Sequence, residues 1–277
     1  MSVPLRCLKL LIILAVLLGT ACGDISDANS VKNPRKQQLT IYAAASLAEA
    51  FTHLGEVFES SQPDVEVVIS FAGSQQIAQQ LSQGAPGDLF ASANEKQMNN
   101  VISSGRVKSG AHQEFIHNQL ILILPGDNPG QINEFGDITC SDLQLILADE
   151  AVPAGAYSLQ MLERAGQQPG FDEQFKSKVL ENVVSYEENV RAVLTKIILG
   201  EADAGIVYVS DAAGTQELDI QMIPIPDAIN ITASYYIAPI IDSPNGQLAQ
   251  DFISLVLSPP GQDILNEYGF VKLGQHE

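Results

Sequence analysis

Short apolar runs alternate with amphipathic stretches along the first part of the chain. Residues 39–43 form a β-type run, and Leu47, Phe51, Leu54 and Phe58 then recur at helical spacing. The alternation continues, so the order of the elements is β-α-β-α-β-α. It predicts strands at 39–43, 65–71 and 88–91 and helices at about 47–60, 74–83 and 95–104. This order favours a parallel sheet with helices on both faces.

A second α/β set begins with the apolar run at 119–124, which the turn cluster Pro-Gly-Asp-Asn-Pro-Gly ends. The pattern predicts helices at 139–145, 156–165, 171–180 and 190–199 and strands at 183–184, 204–209 and 220–225. From about residue 228 a strand and two helices are interpreted as a return to the first set. The sequence therefore predicts an α/β protein with two lobes, 38–118 plus 228–277 and 119–227, joined by two crossings with a cleft between them.

The N-terminus has the pattern of a targeting segment. Arg6 and Lys9 supply positive charge, and residues 8–18 are almost wholly apolar. This stretch is about half as long as the roughly 20 residues that a membrane-spanning helix needs. We therefore expect residues 1–21 to be a secretory signal peptide rather than a permanent membrane span.

The cysteines agree with an exported protein that has no disulfide framework. The ending Leu-Gly-Thr-Ala-Cys resembles a bacterial lipoprotein signal, with Gly19 where a larger aliphatic residue is usual. We expect Cys22 to carry a lipid that anchors the chain to the membrane through a flexible tether at 22–37; ordinary signal cleavage is the alternative. Cys7 would leave with the signal, so Cys140 would have no partner.

The net charge of the chain restricts its partners. It is −19, and removal of residues 1–21 would delete two cations and no anion, which gives −21. Nucleic acid is not expected as a partner, because binding to the phosphate backbone needs basic patches. Long-range repulsion would also slow the approach of an anion, so an anion site in this chain must act at short range.

Donor-rich patches nevertheless occur where predicted strands or turns lead into helices. Helix N-termini carry unpaired N–H groups and a partial positive charge, and they bind anions without lysine or arginine. Serines at two adjacent β-α turns should meet at one edge of the sheet. A buried tyrosine hydroxyl also needs a partner. The candidate positions are Ser46, Ser74, Ala154, Val190 and Tyr208.

Helix capping and turn formation offer a purely structural interpretation of several of these patches. Ser46 with Glu49, and Ser185 with Glu188, have the spacing of a capping box, in which the serine accepts a backbone N–H. A serine hydroxyl can accept in this way and still donate to a ligand. The Pro-Ala-Gly sequence at 153–155 is also compatible with ordinary turn chemistry.

Taken together, the patches resemble the periplasmic molybdate-binding proteins of ABC transporters over residues 38–273. Any one of the matching stretches would be weak evidence, but all six occur in order. They are Tyr-Ala-Ala-Ala-Ser-Leu-Ala-Glu-Ala-Phe (42–51), Ser-Phe-Ala-Gly-Ser (70–74), Gly-Ala-Pro-Gly-Asp-Leu-Phe-Ala-Ser-Ala (84–93), Val-Pro-Ala-Gly-Ala-Tyr (152–157), Glu-Asn-Val-Arg (188–191) and Ala-Asp-Ala-Gly-Ile-Val-Tyr (202–208).

The resemblance implies a type II periplasmic binding protein, whose two lobes close on the ligand. In that family two serine hydroxyls, two backbone N–H groups and a tyrosine hydroxyl bind the tetrahedral oxyanion. The matching positions are Ser46, Ser74, Ala154, Val190 and Tyr208. The chain departs from the family at the pair Gln75-Gln76, where small or aliphatic residues are usual.

The same resemblance implies a function without catalysis or a cofactor. The chain would be a monomeric receptor that binds molybdate or tungstate and delivers it to an ABC permease. A separate ATPase subunit would power that permease, because this sequence has no Walker motif.

The expected donor set also distinguishes between oxyanions. Molybdate, tungstate and sulfate are dianions without a proton near neutral pH, whereas phosphate keeps one. No Asp or Glu is immediately beside Ser46, Ser74, Ala154 or Tyr208 in the sequence to accept that proton. An unsatisfied proton costs about 1–3 kcal/mol, so phosphate should bind poorly. Sulfate differs from molybdate only in size, and the resemblance alone favours molybdate.

Other functions remain possible on the residues alone. Tyr235-Tyr236 resembles the tyrosine pair of ferric-ion binding proteins, although a strand that places one ring on each face explains it equally well. Sulfate is another candidate ligand. An enzyme is a third possibility, but the four histidines are scattered and none has metal-type spacing.

Overall fold

The computed structural model describes residues 36–213 and 219–274. The predicted signal peptide, Cys22 and most of the predicted tether lie outside these residues. Within them, no helix is both long enough and apolar enough to cross a membrane.

The described residues alternate between strands and helices. The strands are β1 (Gln37–Ala44), β2 (Val65–Ala72), β3 (Leu89–Ser92), β4 (Gln113–Asn118), β5 (Leu120–Pro125), β6 (Leu145–Ala148), β7 (Val183–Glu187), β8 (Ala204–Tyr208), β9 (Ile220–Pro224) and β10 (Ala233–Pro239). The helices are α1 (Ala48–Ser61), α2 (Ser74–Ser82), α3 (Glu95–Ser103), α4 (Pro153–Ala165), α5 (Phe175–Glu181), α6 (Val190–Ile198), α7 (Val209–Ala213), α8 (Gly246–Leu257) and α9 (Pro259–Glu267). Two 3₁₀ turns occupy Ala45–Leu47 and Phe135–Thr139.

The strands form two mixed sheets, which confirms the predicted two-lobed α/β fold. The first sheet has the order β2-β1-β3-β10-β4, and β1 is parallel to both β2 and β3. The second has the order β7-β6-β8-β5-β9, and β6 is parallel to both β7 and β8. β10 in the first sheet and β5 in the second run antiparallel to their neighbours. Parallel strands direct their carboxyl ends to the same edge, where ligands bind in open α/β sheets.

Helix α1 shows how the amphipathic pattern builds the first lobe. Its Phe51, Leu54 and Phe58 are buried. The ring of Phe51 packs against Phe115 of β4 at 5.9 Å between centroids and against Phe252 of α8 at 5.8 Å. These contacts join an early helix to a late one, so the C-terminal part of the chain helps to hold the first sheet.

The helix predicted at 139–145 is wrong. A 3₁₀ turn ends at Thr139, and Leu145–Ala148 is the buried strand β6. Asp142 has a φ of 73°, a left-handed conformation that interrupts any helix there. An apolar run of four residues is compatible with either structure, and pairing with β7 and β8 determines the outcome.

Candidate anion-binding site

A small cavity lies where strands of both sheets end. β1, β2 and β3 lead to it from the first sheet, and β6, β7 and β8 lead to it from the second. The cavity volume is about 10 Å³, which is roughly enough for one water molecule. The residues that line it are Ala44, Ala45, Ser46, Gly73, Ser74, Ala93, Val152, Pro153, Ala154, Asn189, Val190 and Tyr208. The structure thus brings all five candidate positions to one cavity.

Ser46 lies in the 3₁₀ turn between β1 and α1 and is buried. The capping box predicted for it is wrong, because Leu47 precedes α1 and no side chain caps that helix. The Ser46 Oγ lies 2.7 Å from the hydroxyl of Tyr235 instead. Glu49 forms an ion pair with Arg191 of α6, at 2.5 Å. Both residues of the predicted capping box therefore interact with distant parts of the chain instead.

Ser74 is the first residue of α2 and is buried. Its Oγ accepts a hydrogen bond from the backbone N–H of Ala93, at 3.0 Å. A serine hydroxyl has one proton and two lone pairs, so this bond leaves the proton for another acceptor. Ser74 lines the cavity and can donate into it.

The starts of α4 and α6 bring backbone donors from the second lobe. Ala154 is the second residue of α4, and Val190 is the first residue of α6. First-turn N–H groups have no partner within their own helix. A Cβ on Gly155 would lie 2.1 Å from the carbonyl oxygen of Asp149, so only glycine lets α4 begin this close to the chain after β6.

The second predicted capping box is also wrong. Ser185 lies in β7, and Asn189 caps α6 by accepting the N–H of Ala192 at 3.0 Å. This cap leaves the Val190 N–H unused by the asparagine. Sequence reasoning missed Asn189 as a lining residue, although an Asn directly before an apolar helical stretch is a recognisable cap.

Tyr208 ends β8 and is fully enclosed. Burial raises the pKa of its phenol well above the usual value, so the hydroxyl keeps its proton. Within the part of the chain that the structure describes, this hydroxyl has no hydrogen-bond partner of normal geometry, despite the nearby hydroxyl of Tyr235. A buried polar group of this kind costs about 1–3 kcal/mol unless something satisfies it. Tyr208 is thus a neutral donor that needs a partner in the cavity.

One acidic residue near the site was missed from the sequence. Asp211 follows Tyr208 by three residues, and its Oδ2 accepts the backbone N–H of Tyr208 at 3.1 Å. Burial raises the pKa of Asp211 to about 7, although the Arg191 guanidinium, 3.8 Å from Oδ1, lowers it. Asp211 does not line the cavity. No charged side chain is among the lining residues in the described ranges 36–213 and 219–274.

Glutamines connect the two lobes beside the cavity. Gln75 Nε2 donates to the Glu188 carbonyl oxygen at 2.7 Å, and Gln76 Nε2 donates to the Glu188 carboxylate at 3.0 Å. Gln97 Nε2 donates to the Ala151 carbonyl oxygen at 3.2 Å. Gln75 and Gln76, where the sequence departs from the molybdate-binding family, therefore bridge the lobes and do not line the cavity.

The two tyrosines that resemble a ferric-ion site pack in different hydrophobic clusters. Tyr235 packs in the main hydrophobic cluster, whereas Tyr236 packs against a second cluster that contains Phe90 and Met98. Among the described residues, no group of three or more His, Cys, Asp or Glu could hold a metal ion. Cys140 is exposed and forms no disulfide there.

Comparison with known proteins identifies the family. The sequence model of the family of bacterial extracellular solute-binding proteins matches residues 39–271 of this chain. The chain belongs to this family. It is similar to the molybdate-binding protein ModA of Mycobacterium tuberculosis, with 35% identity over 254 residues that cover 91% of this chain and 92% of that protein.

Solved structures share the fold of this family member. The periplasmic molybdate-binding protein of Azotobacter vinelandii superposes with a TM-score of 0.71 at 20% identity, over 84% of this chain and 98% of its own. The sulfate-binding protein SubI of Mycobacterium tuberculosis superposes with a TM-score of 0.76 at 17% identity, over 86% of this chain and 88% of its own. Because proteins for two anions share this fold, the choice of ligand depends on the site itself.

Proposed function

We propose that this solute-binding protein is an extracytoplasmic receptor that binds molybdate or tungstate and delivers it to an ABC permease driven by a separate ATPase. One observation carries the proposal: donors from both lobes surround one cavity, and among them the buried Tyr208 hydroxyl has no hydrogen-bond partner of normal geometry in the described part of the chain. The groups proposed to bind the anion are the hydroxyls of Ser46, Ser74 and Tyr208 and the backbone N–H groups of Ala154 and Val190.

This donor set suits an anion that carries no proton. The Ser74 hydroxyl and the first-turn N–H groups of α4 and α6 present hydrogens, and the pKa of Tyr208 keeps its phenol protonated. Hydrogen phosphate would place its own proton against these donors, at a cost of about 1–3 kcal/mol. Asp211 does not accept this proton, because it lies outside the cavity lining.

The choice between molybdate and sulfate is supported by the relatives rather than by charge. Both anions satisfy the donors, and they differ in radius. The 35% identical protein of Mycobacterium tuberculosis is a molybdate-binding protein, and the match covers almost the whole length of both chains. Molybdate is therefore the proposed ligand, and tungstate, which is nearly the same size, should bind as well.

The remaining parts of the proposal concern how the receptor is organised. Lobes formed by 38–118 plus 228–277 and by 119–227 would open to admit the anion and close on it. The cross-lobe pairs Gln75 with Glu188 and Glu49 with Arg191 would help to hold the closed form. We further propose a monomer that Cys22 anchors to the membrane after removal of residues 1–21.

A substitution that removes one backbone N–H tests the site directly. Val190→Pro deletes the donor at the first position of α6, where proline is well tolerated. Asn189 already has the extended backbone that a residue before proline prefers, with φ −159° and ψ 165°. We expect Val190→Pro to raise the calorimetric Kd for molybdate by about 10-fold or more, since a hydrogen bond to a charged group is worth about 1.5–3 kcal/mol.

Val190→Ala is the matched control, because it shortens the same buried side chain and keeps the N–H. The control should bind molybdate much more tightly than Val190→Pro. Equal affinities for the two variants would show that this N–H does not contact the anion.

A further inference from the structure

We propose that Tyr235 is a positioning residue that holds the Ser46 hydroxyl as a hydrogen-bond donor towards the anion, an inference that rests on the proposed function. Tyr235 lies in β10, is fully buried and does not line the cavity. Its hydroxyl lies 2.7 Å from the Ser46 Oγ, and Ser46 does line the cavity. Tyr235 therefore does not touch the ligand itself, and its hydroxyl can act on the ligand through Ser46.

The Asn118 side chain favours one direction for the bond between these two hydroxyls. The backbone N–H of Gln119 donates to the Asn118 Oδ1 at 3.0 Å, which fixes the orientation of that side-chain amide. The Asn118 Nδ2 then donates to Ser210 Oγ at 2.8 Å and to the Tyr235 hydroxyl at 3.4 Å. Since an amide nitrogen only donates, the Tyr235 oxygen accepts here. With one lone pair used in this way, we assign the proton of Tyr235 to Ser46.

In this direction of the bond, Ser46 does not use its own proton on Tyr235. Its oxygen accepts from the phenol, and its proton is free for an acceptor in the cavity. Ser74 reaches the same state by a different route, because its Oγ accepts the Ala93 N–H at 3.0 Å. The two serines thus present protons rather than lone pairs. This arrangement would make Tyr235 a determinant of selectivity against protonated oxyanions.

The Tyr235 ring is held independently of its hydroxyl. It packs edge-on against Tyr208, Phe115 and Phe270, at centroid distances of 5.8, 6.3 and 5.6 Å. Tyr235→Phe would keep these ring contacts and remove only the phenolic oxygen and its proton. The Ser46 hydroxyl would then be free to rotate and to offer a lone pair to the cavity.

A double-mutant cycle on the full chain tests this inference. Molybdate Kd values are measured by calorimetry for the wild type, Ser46→Ala, Tyr235→Phe and the double variant, with unfolding curves to confirm the fold. We expect Tyr235→Phe alone to raise Kd by about 10-fold and to add almost nothing in the Ser46→Ala background. Phosphate, inert towards the wild type, should begin to compete with molybdate in Tyr235→Phe. Tyr236→Phe, at the next residue of the same strand, should change neither property, because Tyr236 packs against the other hydrophobic cluster.

The outcomes separate this inference from the function on which it rests. A wild type that does not bind molybdate overturns the proposed function, and this inference falls with it. A wild type that binds, with losses from Tyr235→Phe and Ser46→Ala that simply add, overturns only the role of Tyr235, because a purely structural residue would weaken binding in both backgrounds alike.

Discussion

Ser46→Ala combined with Ser74→Ala should raise the Kd for molybdate by at least about 100-fold. Each substitution removes a hydroxyl that lines the cavity, and a hydrogen bond to a charged group is worth about 1.5–3 kcal/mol. Two such losses amount to about 3–6 kcal/mol, and 1.4 kcal/mol corresponds to a factor of ten. Calorimetric titration with molybdate measures this loss.

The same double variant should also be less stable without ligand. The Ala93 N–H would lose its acceptor, and the Tyr235 hydroxyl would lose its hydrogen bond to Ser46. A buried group left without a partner costs about 1–3 kcal/mol. Ser60→Ala with Ser254→Ala is the control, since both hydroxyls only bond a carbonyl of their own helix. An unchanged molybdate Kd in the double variant would remove both serines from the site.

Tyr208→Phe should weaken molybdate binding by about 10- to 100-fold without loss of stability in the ligand-free protein. The affinity falls because a neutral donor is removed from the cavity, at about 1.5–3 kcal/mol. The stability should hold or rise, because the hydroxyl has no hydrogen-bond partner of normal geometry within the described residues and the phenylalanine ring fills the same space. Denaturant unfolding and calorimetry on the same preparation measure the two effects.

Weaker molybdate binding together with unchanged or higher stability distinguishes a ligand-binding group from a structural one. A hydroxyl that served only the fold would cost stability when removed and would leave the Kd unchanged. Tyr186→Phe is the control, because Tyr186 is 52% exposed and lies outside the cavity lining. A Tyr208→Phe protein that binds molybdate as tightly as the wild type would contradict the assignment of Tyr208.

The two-lobed α/β fold was predictable because its signals are local. The helical spacing of Phe51 and Phe58 and the apolar run at 119–124 each indicate their element without reference to the rest of the chain. Where a short segment has no strong hydrophobic periodicity, pairing with a neighbouring strand decides whether it becomes a strand. β4 (Gln113–Asn118) was not predicted, and it exists because β10 pairs with it. The run Leu145–Ala148 became a strand for the same reason.

The candidate site shows the same division between local and distant causes. The sequence indicated which residues could face an anion, since helix starts and β-α turns are local features. It could not give their hydrogen-bond partners. The Ser46 hydroxyl bonds Tyr235, 189 residues later, instead of capping a helix. Glu49 pairs with Arg191, 142 residues later. Only the folded chain brings these pairs together.

We propose above that neutral donors from both lobes hold an oxyanion that carries no proton. A calorimetric titration of the wild-type protein with molybdate, alone and in millimolar phosphate, tests it most directly. We expect saturable binding of one molybdate per chain with the same Kd in both titrations. The absence of molybdate binding, or its displacement by phosphate, would contradict it.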